Sequence, residues 1–439
     1  MPVRLRPLSE RLRGSLFFVP VLYVVGGLLL GIIGVELDRQ IVDTNTDLPF
    51  GLTSTVDSAR AVLETVGGAT ITFAGIAFSI SLLVIQLASS QYSPRVVHGL
   101  LRDPFTKRVM GVVVGTFTYC LVVLRSVRGP LEESGDPVIP NISVAVGVLL
   151  GVVAIMAIIA FINHSAHTMD VSRILARATE DGMAAARRLW DEEPGVGSDP
   201  ERLPEAPPDH LVVTHAADGW VRDIDFDRVV AAAPSGGTVR IATEVGRYAV
   251  AGTPLCAIWP APHEPDEARA EAREAITTGD SRTVEQDVGY AVRQLADVAL
   301  RALSPGINDP TTAQDAIFHL GSVLRELLSR HPPRLAAPVD GDRLLLRPER
   351  LGPRELIGTA FDEVRLAAQG MPTVCIYLLE LLHLLDEAVE DDGPARDALR
   401  RQAALVRAGV EHAGLGTHDA DRIRDAHDHR FGPPVERPS

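Results

Sequence analysis

Four stretches of this chain carry no charge: Gly14–Val35, Thr65–Pro94, Val109–Leu124 and Pro137–Asn163. Beyond Asp170 nothing comparable recurs. A helix needs roughly 20 apolar residues to cross about 30 Å of hydrocarbon, and three of the runs meet that length outright. Val109–Leu124 is shorter, but Lys107, Arg108 and Arg125 at its ends have stems long enough to reach the interface. The pattern predicts an α-helical membrane domain of four transmembrane helices over residues 1–170. A secretory signal is the competing reading of the first run. It lacks a convincing small-residue cleavage site and three more spans follow, so an anchor is expected.

The rest of the 439 residues has a different character. Through His164 there are 12 basic and 11 acidic residues, whereas beyond it there are 30 and 46, so the net charge of −15 sits in the C-terminal region. A region so acidic argues against nucleic acid as a partner. Lys107 is the sole lysine, which removes Schiff-base, biotinyl, lipoyl and Walker-type lysine chemistry from that region. Cys120, Cys256 and Cys375 are far apart with no CxxC, against a disulfide framework or a thiolate zinc site. HExxH, GxSxG, GxGxxG and phosphate-loop motifs are all absent. The expectation is a protein that is not an enzyme and holds no cofactor.

Basic residues near the ends of spans set orientation. Arg4, Arg6, Arg11 and Arg13 precede the first run, and Arg95, Arg102, Lys107 and Arg108 lie between the second and third. The segment after the first run is acid-rich, with Glu36, Asp38, Asp43, Asp47, Asp57 and Glu64. A cytosolic N-terminus and a cytosolic C-terminal region follow, with Arg125 and Arg128 as minority dissent on the outer side.

Within the spans, the pairs Gly27/Gly31, Gly111/Gly115 and Gly147/Gly151 have the spacing that lets helices approach closely in lipid. The second span differs. Gly68, Thr72, Gly75, Ser79 and Gln86 recur at steps of four and three, with Leu82 the interruption, which draws one small, polar stripe along a helix face. The stripe admits two readings: packing against neighbouring helices, or lining a hydrated path, with Gln86 needing partners for its amide. Thr72, Gly75, Ser79 and Gln86 are the candidate pore-facing residues. Four spans are few for a pore within one chain, so a path would need a homo-oligomer around the second span. No Asp, Glu, Lys or Arg lies well inside a span, which favours a passive pore or an anchor over a pump.

His164, His167 and Asp170 follow the fourth run at helical steps of three. They are weak metal candidates, and such residues more often mark the water interface or make hydrogen bonds. A juxtamembrane helix running through Arg188 and a Pro-rich linker are expected over 171–209, then a small β-rich, barrel-like domain over 210–262. Its Gly-x-Val and Val-x-x-Gly-x-Pro-Leu spacing is similar to barrel-sandwich domains of the biotinyl/lipoyl type, without the carrier lysine. Asp223, Asp225 and Asp227 alternate, but the positions of the calcium-loop glycine and glutamate are Arg228 and Pro234. Asp225 instead reads as the cap of a short helix over Phe226–Ala233.

A helical cytosolic domain is expected over 263–413. Thr283 and Gln286 have capping-box spacing for a helix ending near Leu303. Pro305-Gly306 then stops it, and Asp309 and Pro310 start the next. Ser304, Asn308, Asp309, Thr311 and Thr312 crowd polar groups at that helix start, as a plain cap or as a ligand or assembly loop. Amphipathic helices are expected around Pro353–Gln369, Thr373–Glu390 and Pro394–Ala413, and a disordered tail over 414–439.

Two motifs resemble a known family. Leu87-Ala88-Ser89-Ser90-Gln91-Tyr92-Ser93-Pro94-Arg95 and Ala302-Leu303-Ser304-Pro305-Gly306-Ile307-Asn308-Asp309-Pro310, with Glu285-Gln286-Asp287 upstream, are similar to the bacterial membrane proteins grouped as domain of unknown function 2254. The resemblance covers nearly the whole chain and implies a bacterial inner-membrane location, with no activity, substrate or catalytic residue attached. The functional expectation is a homo-oligomeric passive channel or channel-like protein with a cytosolic assembly or regulatory domain. The alternative is a membrane-anchored scaffold or sensor whose cytosolic domain binds a partner; a membrane-bound enzyme trails both.

Overall fold

The computed structural model describes residues 18–43, 55–91, 103–127, 140–168, 170–191, 203–339, 341–348, 351–389 and 393–432. The side chains of 41–43, 88–91 and 166–168 are outside that description. Two compact units emerge, Met1–Asp170 and Val171–Ser439.

The first unit is four helices: α1 (Phe18–Asp43), α2 (Val56–Gln91), α3 (Pro104–Ser126) and α4 (Asn141–Thr168). Each has a segment long and apolar enough to cross a membrane: Phe18–Gln40, Val56–Leu87, Pro104–Ser126 and Asn141–Ser165. Much of the apolar surface of α1 and α4, including Leu29, Ile33, Leu149 and Ile159, faces outward, as a hydrocarbon solvent permits.

Glycines set the helix contacts. A Cβ on Gly27 would collide with the Gly115 carbonyl oxygen, and one on Gly111 would come within 2.6 Å of Cδ2 of Tyr23. On α4, Gly147 faces Leu63 and Gly151 faces Val66, both on α2. The three small-residue pairs therefore pack α1 on α3 and α4 on α2. Without a hydrophobic drive in lipid, such backbone approach supplies the contact area.

Aspartates pin both ends of the bundle. Asp103 caps α3, accepting from the Phe105 and Thr106 N–H groups at 3.1 Å each. At the other end, Asp38 of α1 accepts from the N–H groups of Ile142 and Ser143 at the start of α4. The Tyr119 hydroxyl donates to the Ser143 carbonyl at 2.8 Å, tying α3 to the same turn.

The second unit begins with α5 (Val171–Leu189), followed by two sheets. The strands are β1 (Leu211–Thr214), β2 (Gly219–Ile224), β3 (Thr238–Ile241), β4 (Tyr248–Ala249), β5 (Pro254–Trp259), β6 (Ile276–Gly279), β7 (Ala336–Val339) and β8 (Arg343–Leu346). One sheet runs β1-β5-β3-β8-β7, antiparallel except where β3 meets β8, and the other runs β4-β2-β6. Neither closes into a barrel. The short helix α6 (Phe226–Ala231) is capped by Asp225, which accepts from the Arg228 N–H, and α7 (Pro265–Glu274) precedes β6. Val213, Val221, Val239, Ile258 and Leu345 form the core between these elements. Strands β6, β7 and β8 come from the region that the sequence pattern reads as helical. They are only four residues each, too short to show a period.

The helical layer comprises α8 (Val288–Ala302), α9 (Pro310–Leu328), α10 (Pro353–Ala368), α11 (Pro372–Ala388), α12 (Pro394–Gly409) and α13 (Thr417–Phe431). Helices α8 and α9 pack on each other and on α5; α10 and α12 stack beyond α8, and α11 and α13 beyond α9. Helix α13 corrects the expectation of a disordered tail over 414–439. Ala420 and Ile423 give it a buried stripe three residues apart, and Asp419–Arg422 and Asp421–Arg424 pair along its surface. That stripe is short enough to be lost among the surrounding charges. Residues 433–439 lie outside the described residues.

The capping box is a second correction. Helix α8 starts five residues after Thr283, and Asp287 caps it, accepting from the Tyr290 N–H at 2.9 Å. Gln286 is drawn away: its Oε1 accepts from the Ile224 N–H at 3.1 Å and its amide nitrogen donates to the Ile224 carbonyl at 3.4 Å.

Candidate functional site

The small-residue stripe of α2 faces away from the other helices of its own bundle. Gly68, Thr72, Gly75, Ser79 and Gln86 are all exposed, and a Cβ added at Gly68 or Gly75 would meet nothing within 4 Å. The buried face of the same helix is carried by Ala59, Leu63, Thr70 and Ala77. Packing among the described helices of the bundle therefore does not account for the stripe. The Thr72 hydroxyl donates to the Gly68 carbonyl at 2.8 Å and the Ser79 hydroxyl to the Gly75 carbonyl at 2.9 Å. Each hydroxyl spends its hydrogen on its own helix and leaves oxygen lone pairs turned outward. Among the described residues no hydrogen bond engages the Gln86 side chain, toward the end of the span.

The Ser304–Thr312 segment folds as a helix-to-helix turn. The Ser304 hydroxyl donates to the Arg301 carbonyl at 2.7 Å, and the Asn308 N–H donates to the Ser304 carbonyl at 2.9 Å. Asp309 accepts from the Thr312 N–H at 3.1 Å and the Thr312 hydroxyl at 2.6 Å. The Thr312 hydroxyl bond is the main reason the Asp309 carboxyl is held below its ordinary value. Asn308 takes a left-handed φ of 51°, a conformation that asparagine tolerates better than most residues. The Asn308 and Thr311 side chains remain exposed, while Ser304, Asp309 and Thr312 are used up by the turn.

His164 Nε2 lies 2.9 Å from Asp103 Oδ2, with its ring 4.7 Å from that of Phe105. The partner of His164 is thus the cap of another helix. Asp170 is exposed, and the His167 side chain lies outside the described residues. Among the described residues no three His, Cys, Asp or Glu side chains come together as a metal ion would require.

Glu285-Gln286-Asp287 joins the sheets of the second unit to its helices. Beyond the Gln286 bonds to β2, the Arg188 guanidinium of α5 donates to the Glu285 carbonyl. Asp287 accepts from Arg282 Nε at 2.9 Å and Nη2 at 2.7 Å. The Arg282 guanidinium sits 4.8 Å from the centre of the Tyr290 ring and 5.8 Å from that of Trp220. Burial pushes the Asp287 carboxyl up despite Arg282. Gly246 has a φ of +84°, and a Cβ there would strike Asp287, so this loop position needs glycine twice over.

The model of the family described as "Predicted membrane protein (DUF2254)" matches residues 13–383. The chain belongs to that family. Uncharacterised proteins of Mycobacterium bovis and of two Mycobacterium tuberculosis strains are 30% identical over 410 residues, covering 92% of this chain and 77% of theirs. No solved structure matches. The match takes in all four spans, the Ser304–Thr312 turn and the Glu285–Asp287 junction. Of the Leu87–Arg95 motif, only the backbone through Gln91 and the Leu87 side chain fall among the described residues.

Two residues escaped the sequence reading. Asp38 counts there as one more acid of an outer loop, although its partner is the start of α4. Arg347 carries no motif at all. Only the run of apolar strand residues before it hinted that its guanidinium would be carried into the interior.

Proposed function

We propose that this membrane protein is a homo-oligomeric passive channel in the bacterial inner membrane, with α2 toward the axis. Its N-terminus and its acidic C-terminal unit face the cytosol, and that unit serves assembly or regulation. The outward stripe of α2 carries this reading. The glycine pairs of α1, α3 and α4 are consumed inside the chain, whereas Gly68, Thr72, Gly75, Ser79 and Gln86 present small and polar groups to whatever lies outside it. Second copies set around that face supply a close-packing surface and a hydroxyl-lined path together. The lack of ionisable groups along it suits passive conduction rather than pumping. Neither a nucleic-acid partner nor an enzymatic activity forms part of the proposal.

One observation favours the scaffold or sensor alternative: Thr72 and Ser79 already bond to their own helix and so do not demand water. Conductance in planar bilayers separates the two. The channel reading expects unitary currents from the wild-type protein, abolished or reshaped in Ser79→Leu/Gln86→Leu. Silence across voltage, tension and pH, from protein shown to be folded and inserted, leaves the scaffold or sensor.

A further inference from the structure

A cavity of about 180 Å³ opens in the second unit, beside the Glu285–Asp287 junction. Its walls are mostly apolar, with Trp190, Phe226, Val288, Leu335 and Leu351 among them. The polar exceptions are Glu244, Gln286, Asp287 and Arg347, and Arg347 carries the positive charge among them. Its guanidinium carbon lies 4.2 Å from the centre of the Phe226 ring, and its Nε is buried without a hydrogen-bond partner. Among the described residues Arg347 is the one arginine in the wall of this cavity.

The local charges do not explain Arg347. Asp191 and Asp227 act on it through space, and burial still outweighs them, lowering its pKa. Asp287, on the same wall, is engaged by Arg282 and the Tyr290 N–H. Glu244, at the rim, is only part-buried. A guanidinium keeps its charge at any physiological pH, and a desolvated donor without an acceptor is costly. An oxyanion presented in the plane of the fork repays that cost with two parallel hydrogen bonds.

We propose that this cavity binds a small apolar monocarboxylate, its carboxylate on the Arg347 guanidinium and its ring or branched chain between Trp190, Phe226 and Leu351. Size sets the class: an apolar cavity of roughly 150 Å³ holds a benzene ring, so 180 Å³ suits one ring or branched chain with its acid group at the mouth. A phosphorylated sugar or nucleotide is too large and too polar for these walls. The site does not depend on the channel reading, and an anchored sensor would use it equally.

The test uses the full-length protein in detergent, with phenylacetate as probe and neutral phenylacetamide as its isostere. Trp190, in the cavity wall, reports by fluorescence, and calorimetry reads binding independently. Saturable binding of phenylacetate is expected, weakened at least about tenfold, or 1.4 kcal/mol, in Arg347→Gln and for phenylacetamide on the wild type. Leu351→Trp adds bulk to the cavity wall and leaves Arg347 in place, and is expected to abolish binding as well, so the test survives if Arg347→Gln does not fold. No saturable signal up to about 10 mM, where even a millimolar site is largely filled, would overturn the proposal. So would equal binding of the amide, or undiminished binding by a folded Arg347→Gln or Leu351→Trp.

Discussion

Asp38 on α1 accepts hydrogen bonds from the Ile142 N–H (3.0 Å), the Ser143 N–H (2.9 Å) and the Ser143 hydroxyl (2.6 Å), and so caps a helix that begins a hundred residues further along the chain. The first N–H groups of a helix have no partner within it, and here another span provides one. The carboxylate is 4% exposed, so no water replaces it when it is removed. Asp38→Ala should lower the stability of the membrane unit by about 1–2 kcal/mol, read as a lower melting temperature in detergent. Asp38→Asn keeps an accepting oxygen and should cost less.

The contact between α1 and α3 rests on Gly27, Gly115 and the Tyr23 backbone. A Cβ on Gly115 would lie 2.8 Å from the Tyr23 carbonyl oxygen, and neither backbone can yield without separating the helices. Gly115→Ala should cost roughly 1–3 kcal/mol by overpacking. Gly75→Ala on the outward face of α2 meets nothing within 4 Å among the described residues. Melting of the detergent-solubilised monomer should show the first loss and not the second.

Asn308 holds its left-handed φ in the turn between α8 and α9. Asn308→Gly should be neutral to slightly stabilising, because glycine adopts that conformation without strain. Asn308→Val should cost on the order of 1–3 kcal/mol, because a β-branched residue is strained there. Thermal unfolding of the full chain compares them.

Glu326 accepts from Arg187 at 3.0 Å and Arg330 at 2.7 Å, and the Arg187 bond leads in holding its carboxyl below the ordinary 4.5. A carboxylate whose folded pKa is depressed stabilises above its unfolded value and loses that contribution as pH falls through the folded value. Glu326→Gln should therefore melt below wild type at pH 7, by about 0.5–1 kcal/mol for a partly exposed pair. The gap should shrink steadily once pH drops beneath about 4.5.

The spans were legible because hydrocarbon imposes an uncharged length that no described helix of the second unit approaches; the run Val109–Leu124 lies wholly inside Pro104–Ser126. Helices α10, α11 and α12 were legible for a related reason: each opens on proline at its first turn, Pro353, Pro372 and Pro394, and carries a clear apolar stripe. What escaped was settled by distant partners. Gln286 left its local capping role for the Ile224 backbone, 62 residues away. Strand β8 is recruited by β3 across more than a hundred residues, in parallel, and no local period announces that. On α2 the spacing disclosed the stripe, but only the packed bundle showed that it points outward.

Whether that outward face meets water decides the account most directly. Single cysteines at Thr72, Ser79 and Gln86, and at the outward Leu149 of α4 as control, can be challenged with a membrane-impermeant thiol reagent in native membranes. Native Cys120, Cys256 and Cys375 are all buried and give a low background. Labelling at 72, 79 and 86 with none at 149 is the result expected of a stripe lining a hydrated path. Four silent positions, from protein present and folded in the membrane, would contradict it.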